Sequence, residues 1–373
     1  MIEASAVSRA RLVFVALATV LLAGTIGGEL ARALTPPPNR FELAAAAMSE
    51  HGIGFGPDVL LPNRESDDQP MAVALYASAE ALHFLRTRTG ASRDQAIAGA
   101  NRLLGLAVDD EHYGWGLGFP WQSEDGSTSP ADTIYGITTA LGVRALLDVY
   151  AVDRQDRFLQ SATHALDSYR TQFTAVDAST GYFQSSGRAT DEHPVISVSA
   201  LLAGQYARAA ELTQNDAYAT VARSAAAWVM AQQERSGQDI LWLYRAGGTD
   251  PSDGVNAAYI VDGLLQVEHF LGGTKLDRDA ALRWLARFAV STTLSSRYVG
   301  GTAPDRSWGV GYLLFDFCIY APDAAATARL RSALDQYEYA PGRYGPLPGV
   351  DVLYPRFQGH VLLALAVCPA DPA

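Results

Sequence analysis

Residues 132–173 read DTIYGITTALGVRALLDVYAVDRQDRFLQSATHALDSYRTQF. Two helical periodicities follow one another in this stretch. In the first, Ile134, Ile137, Leu141, Ala145 and Val149 line one face, and Val143, Leu147 and Tyr150 make the other face apolar too. A helix apolar nearly all round must be covered on all sides. In the second, Phe158, Ala162, Leu166, Tyr169 and Phe173 form one stripe beside Ala165. Arg157, Gln160, His164, Asp167 and Arg170 fill the rest. That is a helix with a single buried face. The pair reads as an inner helix followed by an outer one.

The same alternation runs along the chain. Inner-type helices are expected to begin near Pro70, Asp132, Pro194, Val255, Ser307 and Arg356, and outer-type helices near Ser92, Arg154, Asn215, Asp277 and Asp323. The repeat unit is about 50–60 residues. The sixth inner helix, FQGHVLLALA at residues 357–366, has no outer helix after it, and residues 41–50 are expected to supply one. Being nearly all apolar, that last helix needs a neighbour on every side. An open solenoid would expose it, whereas closing the ring covers it. The expected fold is therefore all-α: one (α/α)6 toroid of six helical hairpins over residues 41–373, although 373 residues would allow two domains.

The connections alternate as well. Inner-to-outer turns are short, as at 152–154 and 214–216, whereas outer-to-inner connections are often about 15–20 residues, long for passive loops. The long ones carry aromatics among glycines: YGWGLGFPW at 113–121, GYF at 181–183, LWLY at 241–244, YVGG at 298–301 and RYGP at 343–346. A ring gathers them all at one end, above the N-termini of the inner helices, where long loops on a rigid scaffold carry sites.

Residues 1–40 read differently. Arg9 and Arg11 precede the apolar stretch 12–28, Ala31-Arg32-Ala33 fits a signal-peptidase site, and Thr35-Pro36-Pro37-Pro38 is a stiff spacer. Both readings, an uncleaved anchor or a signal cut near Ala33, place the remainder outside the cytoplasm, at the cell envelope, with membrane contact only through this segment. Hydrophobic residues make up 49% and charged residues 18%, which excludes a disordered chain. The net charge of −12 excludes general attraction to nucleic acid. Cys318 and Cys368 are the only cysteines. They read as two buried thiols or as one disulfide, which an oxidising compartment permits.

Polar residues recur where the inner helices start. Asp132, Tyr135, His193, Asp253, Asn256, Arg306, Trp308, Tyr354 and Arg356 are brought to one mouth by the ring. Asp132 and Asp253 fit helix N-caps. Tyr135 and Asn256 have no capping role, and Arg356 is the best local positive charge for a carboxylate. Trp115 and Trp121 suit stacking on sugar faces, and Gln122 and Ser123 suit hydrogen bonds to hydroxyls. Asp262 and Asp316 fall inside apolar helices and read as hydrogen-bonded structural acids, with His360 similarly placed. The other histidines show no metal spacing, and no metal or cofactor is expected. Neither G-x-S-x-G, nor a P-loop, nor a Rossmann glycine pattern, nor H-E-x-x-H occurs.

Residues 114–117 (GWGL) with 119–123 (FPWQS), residues 253–262 (DGVNAAYIVD) and Pro355-Arg356 together resemble the α/α-toroid proteins related to the C-terminal domain of glucuronyl 5-epimerases. The resemblance covers about residues 110–367 and departs at Asn256, where that family has His. It implies a six-hairpin toroid associated with polysaccharide metabolism. Three functions follow as expectations. The first is proton abstraction at carbon five of a uronic-acid-containing polysaccharide, by epimerisation or β-elimination. Tyr135, Tyr259 or His193 would move protons there, while Arg356 and Asn256 hold the carboxylate. The second is a glycoside hydrolase using Asp132 and Asp253, with Asp305 or Asp351 in reserve. The third is a non-catalytic glycan-binding protein. Terpenoid cyclases share the toroid, but no D-x-D-D motif is present.

Overall fold

The computed structural model describes residues 39–61, 66–109, 111–122, 128–187, 194–236, 239–322 and 324–368. The 12–28 segment, Ser123 and His193 lie outside the described residues. Among those described, no helix is long and apolar enough to cross a membrane.

Twelve helices occur among the described residues. Six are inner: α2 (Pro70–Thr87), α4 (Gly136–Val152), α6 (Ile196–Thr213), α8 (Gly254–Leu271), α10 (Ser307–Tyr320) and α12 (Pro355–Val367). Six are outer: α1 (Arg40–Ser49), α3 (Gly90–Gly105), α5 (Asp156–Tyr169), α7 (Asp216–Ala231), α9 (Arg278–Ala286) and α11 (Ala325–Leu334). Each inner helix packs on the next, α12 packs back on α2, and α1 lies against α12. The expected ring is closed, and the helix from residues 41–50 completes it.

The split between inner and outer helices follows burial. In α4 every residue from Thr138 to Val149 is buried, whereas in α5 only Phe158, Ala162, Ala165, Leu166 and Tyr169 are. The ring closes tightly at Gly359 of α12, where an added Cβ would stand 2.8 Å from Leu75 of α2. On the outer side of that joint, His83 of α2 stacks on Phe41 of α1 at 3.9 Å and bonds Ser92 of α3 at 2.9 Å. Cys318, near the end of α10, is bonded to Cys368, just past α12. The disulfide, one of the two readings of these cysteines, therefore clasps adjacent inner helices.

The long connections carry six two-stranded hairpins: β1 (Phe55–Pro57) with β2 (Ser66–Asp68), β3 (Val108–Asp109) with β4 (Tyr113–Gly114), β5 (Trp121–Gln122) with β6 (Thr128–Ser129), β7 (Phe173–Ala175) with β8 (Gly181–Phe183), β9 (Glu234–Ser236) with β10 (Asp239–Leu241), and β11 (Glu338–Ala340) with β12 (Arg343–Tyr344). All pairs are antiparallel.

Two predictions follow. At the α6–α8 crossing a Cβ on Gly263 would stand 2.1 Å from the backbone oxygen of Ala200. Gly263→Ala is therefore expected to cost about 1–3 kcal/mol in denaturant unfolding. In α2, burial and then Arg86 push His83 down to about 4, while burial pushes Glu80 up to about 7. The unfolded chain protonates His83 first as pH falls below 6.5, so His83 removes stability on acidification. Folded Glu80 takes its proton before the unfolded chain does, so it adds stability over the overlapping range. Relative to wild type, His83→Gln should lose less stability on acidification and Glu80→Gln more, as read from unfolding midpoints against pH.

Candidate active site at the ring mouth

The first four N–H groups of a helix lack partners inside it. In this ring the next unit's loop supplies one repeatedly. Gly136 N–H, opening α4, donates to Ser185 O at 2.9 Å, and Ile196 N–H, opening α6, to Tyr244 O at 3.2 Å. Gly254 N–H, opening α8, donates to Arg297 O at 3.2 Å, and Ser307 N–H, opening α10, to Pro346 O at 3.0 Å. At α12 the first residue is Pro355, which has no N–H. There the loop from the α1–α2 connection is held by a buried ion pair. Arg356 Nε donates to Asp58 Oδ2 at 2.9 Å and Nη2 to Asp58 Oδ1 at 2.8 Å.

These ties surround a cavity of about 320 Å³ at the N-terminal ends of the inner helices. Tyr135, Asn256, Tyr259, Trp121, Trp308 and Arg356 line it, as do Arg245, Thr138 and Ser185. No carboxylate is among the described lining residues. Thr138 Oγ1, Ser185 Oγ and Trp308 Nε1 are buried without a hydrogen-bond partner. A larger depression, about 860 Å³, lies against α7 and residues 173–179 and 272–275, on the outer wall and away from these groups.

Tyr259 has the most developed surroundings. Its hydroxyl is 2.5 Å from His360 Nε2, and His360 Nδ1 is 2.7 Å from Arg356 O. A carbonyl only accepts, so Nδ1 carries the ring proton and Nε2 accepts from Tyr259. Burial holds His360 down to about 3, so the imidazole is neutral, and burial pushes the Tyr259 phenol up. The result is a neutral tyrosine at the cavity wall with a proton acceptor behind it. Asn256 is fixed from both ends: its Nδ2 donates to Asp253 Oδ1 at 2.8 Å, and its Oδ1 accepts from Ser197 at 2.6 Å. Trp308 stacks on Phe357 at 4.6 Å, with the Arg356 guanidinium 5.0 Å from its ring. Trp121 meets Tyr135 edge-on at 6.1 Å.

Other expected site residues fall elsewhere. Trp115 does not face the cavity: it is fully buried against Gly142, and its Nε1 donates to Leu103 O at 2.8 Å. It is a packing residue, because α4 needs its outer face covered. Asp132 is exposed in a turn four residues before α4 and caps nothing. Asp253 is the N-cap of α8, accepting from Asn256 N–H at 3.1 Å. Tyr354 is buried against Phe357, and Gln122 is exposed on β5. Neither lines the cavity. Asp305 is buried between Gly254 and Gly309, and burial and then Asp253 push its carboxyl well up.

Arg356 lines the cavity, but Asp58 takes two of its nitrogens, and only Nη1 makes no hydrogen bond with described residues. Arg245 makes no ion pair with described residues and lies beside Tyr244 at the mouth, its guanidinium 5.4 Å from that ring. Sequence reasoning singled out neither Asp58 nor Arg245. Asp58 is 298 residues from its partner, and nothing local marks it. Arg245 follows the aromatic cluster at 241–244, which is the one signal pointing to it.

Deeper along the axis, Asp262 has the partners its burial demands: Arg144 at 2.7 Å, Tyr312 at 2.8 Å, Tyr320 at 2.7 Å and Gln266 at 2.9 Å. Asp316 does not. Both its oxygens are buried without a partner, and burial, then Asp262, push its carboxyl well up. The acid expected to be hydrogen-bonded has no such partner among the described residues.

No protein-family model matches this sequence, and no curated protein matches it. Solved structures do. The chain is similar to the GH76 α-mannanase of Bacteroides thetaiotaomicron, with a TM-score of 0.64 and 12% identity over 88% of this chain and 95% of that one. It is similar to cellobiose 2-epimerase from Bacillus thermoamylovorans, with a TM-score of 0.60 and 10% identity over 83% and 91%. A polysaccharide lyase gives a TM-score of 0.57 and 12% identity over 88% and 94%. These are carbohydrate-active enzymes, and this chain shares their (α/α)6 toroid fold.

Proposed function

We propose that this protein acts on a uronic-acid-containing polysaccharide by removing the proton at carbon five, as an epimerase or a lyase. One observation carries the reading. A single cavity gathers Tyr135, Tyr259, Asn256, Arg245 and Arg356, and no carboxylate is among its described lining residues. Two facing carboxylates would be needed for glycoside hydrolysis, and Asp132 and Asp253 do not supply them. An epimerase and a lyase of the same fold are consistent with this chemistry.

The carbon-five proton is acidified by the adjacent carboxylate once that charge is balanced. Arg245, the free Nη1 of Arg356 and the second N–H of Asn256 Nδ2 provide that balance. Tyr259 takes the proton on its hydroxyl oxygen as its own proton passes to His360 Nε2, and because burial disfavours the imidazolium so formed, that proton is held only until it returns through Tyr259. In elimination, the electron pair left on carbon five forms the double bond to carbon four. The bond from carbon four to the leaving oxygen breaks, and that oxygen takes up the proton returned from His360 through Tyr259. In epimerisation, a proton instead returns to carbon five from the opposite face, where Tyr135 is the candidate donor. An extracytoplasmic site of action goes with this reading and is supported by the Cys318–Cys368 disulfide, because such bonds persist in oxidising compartments.

In solvent deuterium, a panel of polyuronates should acquire label at carbon five or yield an unsaturated product. If neither occurs with any member, the reading fails. Tyr259→Phe should lower kcat by about 10²-fold or more with the fold intact. Arg245→Ala should raise KM for a polyuronate and leave binding of a neutral glycan unchanged. An Arg245→Ala protein with unaltered KM would remove that residue from carboxylate recognition.

A further inference from the structure

We propose that the opposite end of the barrel holds a second ligand site, which takes a small organic acid by its carboxylate. It does not depend on the function assigned to the mouth. A cavity of about 410 Å³ opens there between the C-terminal halves of the inner helices, with Arg144 and Arg208 at its floor. The carboxylates that balance these arginines are Asp262 and Asp148, and neither lines the cavity. Asp262 is fully buried and Asp148 nearly so. The two ion pairs are thus oriented dipoles with their positive ends toward the opening.

Both guanidinium groups keep donors in reserve. Arg144 Nη1 donates to Asp262 Oδ2 and to Tyr312 Oη, each at 2.7 Å, and its Nε faces Asp148 Oδ2 at 3.9 Å, while its Nη2 makes no hydrogen bond with described residues. Arg208 Nη1 donates to Asp148 Oδ1 at 2.6 Å, and its Nε and Nη2 make no hydrogen bond with described residues. Two guanidinium groups with nitrogens left over offer the paired, planar donors that a carboxylate accepts best. At the rim, the Glu268 carboxylate is occupied by Thr274, through its N–H at 2.8 Å and its hydroxyl at 2.6 Å, so it does not compete strongly for the floor. Leu265, Phe270, Leu276 and Ile319 make part of the wall apolar, beside polar groups such as His269 and Tyr320. The apolar part and this volume favour an acid with an organic body over a bare inorganic ion.

Titration calorimetry on the full chain with benzoate tests the proposal, with benzyl alcohol and inorganic phosphate as controls. Benzoate is expected to bind and benzyl alcohol not to, with phosphate weaker than benzoate. Arg208→Gln should weaken benzoate binding by about tenfold or more. Because that change leaves Asp148 less well paired, a second variant, Ile319→Trp, fills the opening from an exposed position and should also abolish binding. Arg245→Ala, at the mouth, should leave benzoate binding unchanged. Benzoate that fails to bind the wild-type chain overturns the proposal. So does benzoate that binds both far-end variants as it binds wild type, or that is lost only in Arg245→Ala.

Discussion

Six helices that are apolar on nearly every face can be buried only by one another, and a closed ring is the arrangement that gives each of them two inner neighbours. That requirement governs the rest of the molecule. It places the outer helices as a second layer with one buried face each. It also brings all six inner N-termini to one end, where their unpaired N–H groups need acceptors. The connecting loops meet that need in a regular way: four inner helices receive a carbonyl from the loop of the following unit. At the closing joint Pro355 cannot donate, and the Asp58–Arg356 pair holds the loop in place of the missing backbone bond. Breaking a buried pair of this kind typically costs about 3–5 kcal/mol.

That closure shapes the chemistry of the mouth. Arg356 serves the ring first and offers a ligand only what Asp58 leaves. Among the described lining residues Arg245 makes no ion pair, and Tyr259 has His360 behind it with Nε2 placed to accept its proton. Below the mouth, Tyr312 meets Tyr259 edge-on at 4.6 Å and bonds Arg144 and Asp262. One ring contact and these hydrogen bonds thus lead from Tyr259 at the mouth to Arg144 at the far cavity.

Much of the fold is legible from periodicity. The all-round apolar pattern of 357–366 demanded a neighbour on both sides, and α2 and α10 are those neighbours. Cavity-lining residues were legible where they stood at the start of an inner helix, as with Tyr135, Asn256 and Trp308. Trp115 was misleading because an aromatic in a glycine-rich loop reads the same whether it stacks on a sugar or covers a helix. Asp316 was misleading because sequence shows that an acid is buried but not whether a donor reaches it.

The sequence by itself determined the alternation of buried and half-buried helices, the closure of the ring and the end at which the loops collect. Those follow from where apolar residues fall along the chain, a local property. Only the tertiary structure decided which charges are free. Asp58 meets Arg356 and His360 meets Tyr259 across 298 and 101 residues. Whether a charge or a proton is available to a ligand depends on the group that already holds it, and that group is set by packing rather than by neighbours in sequence.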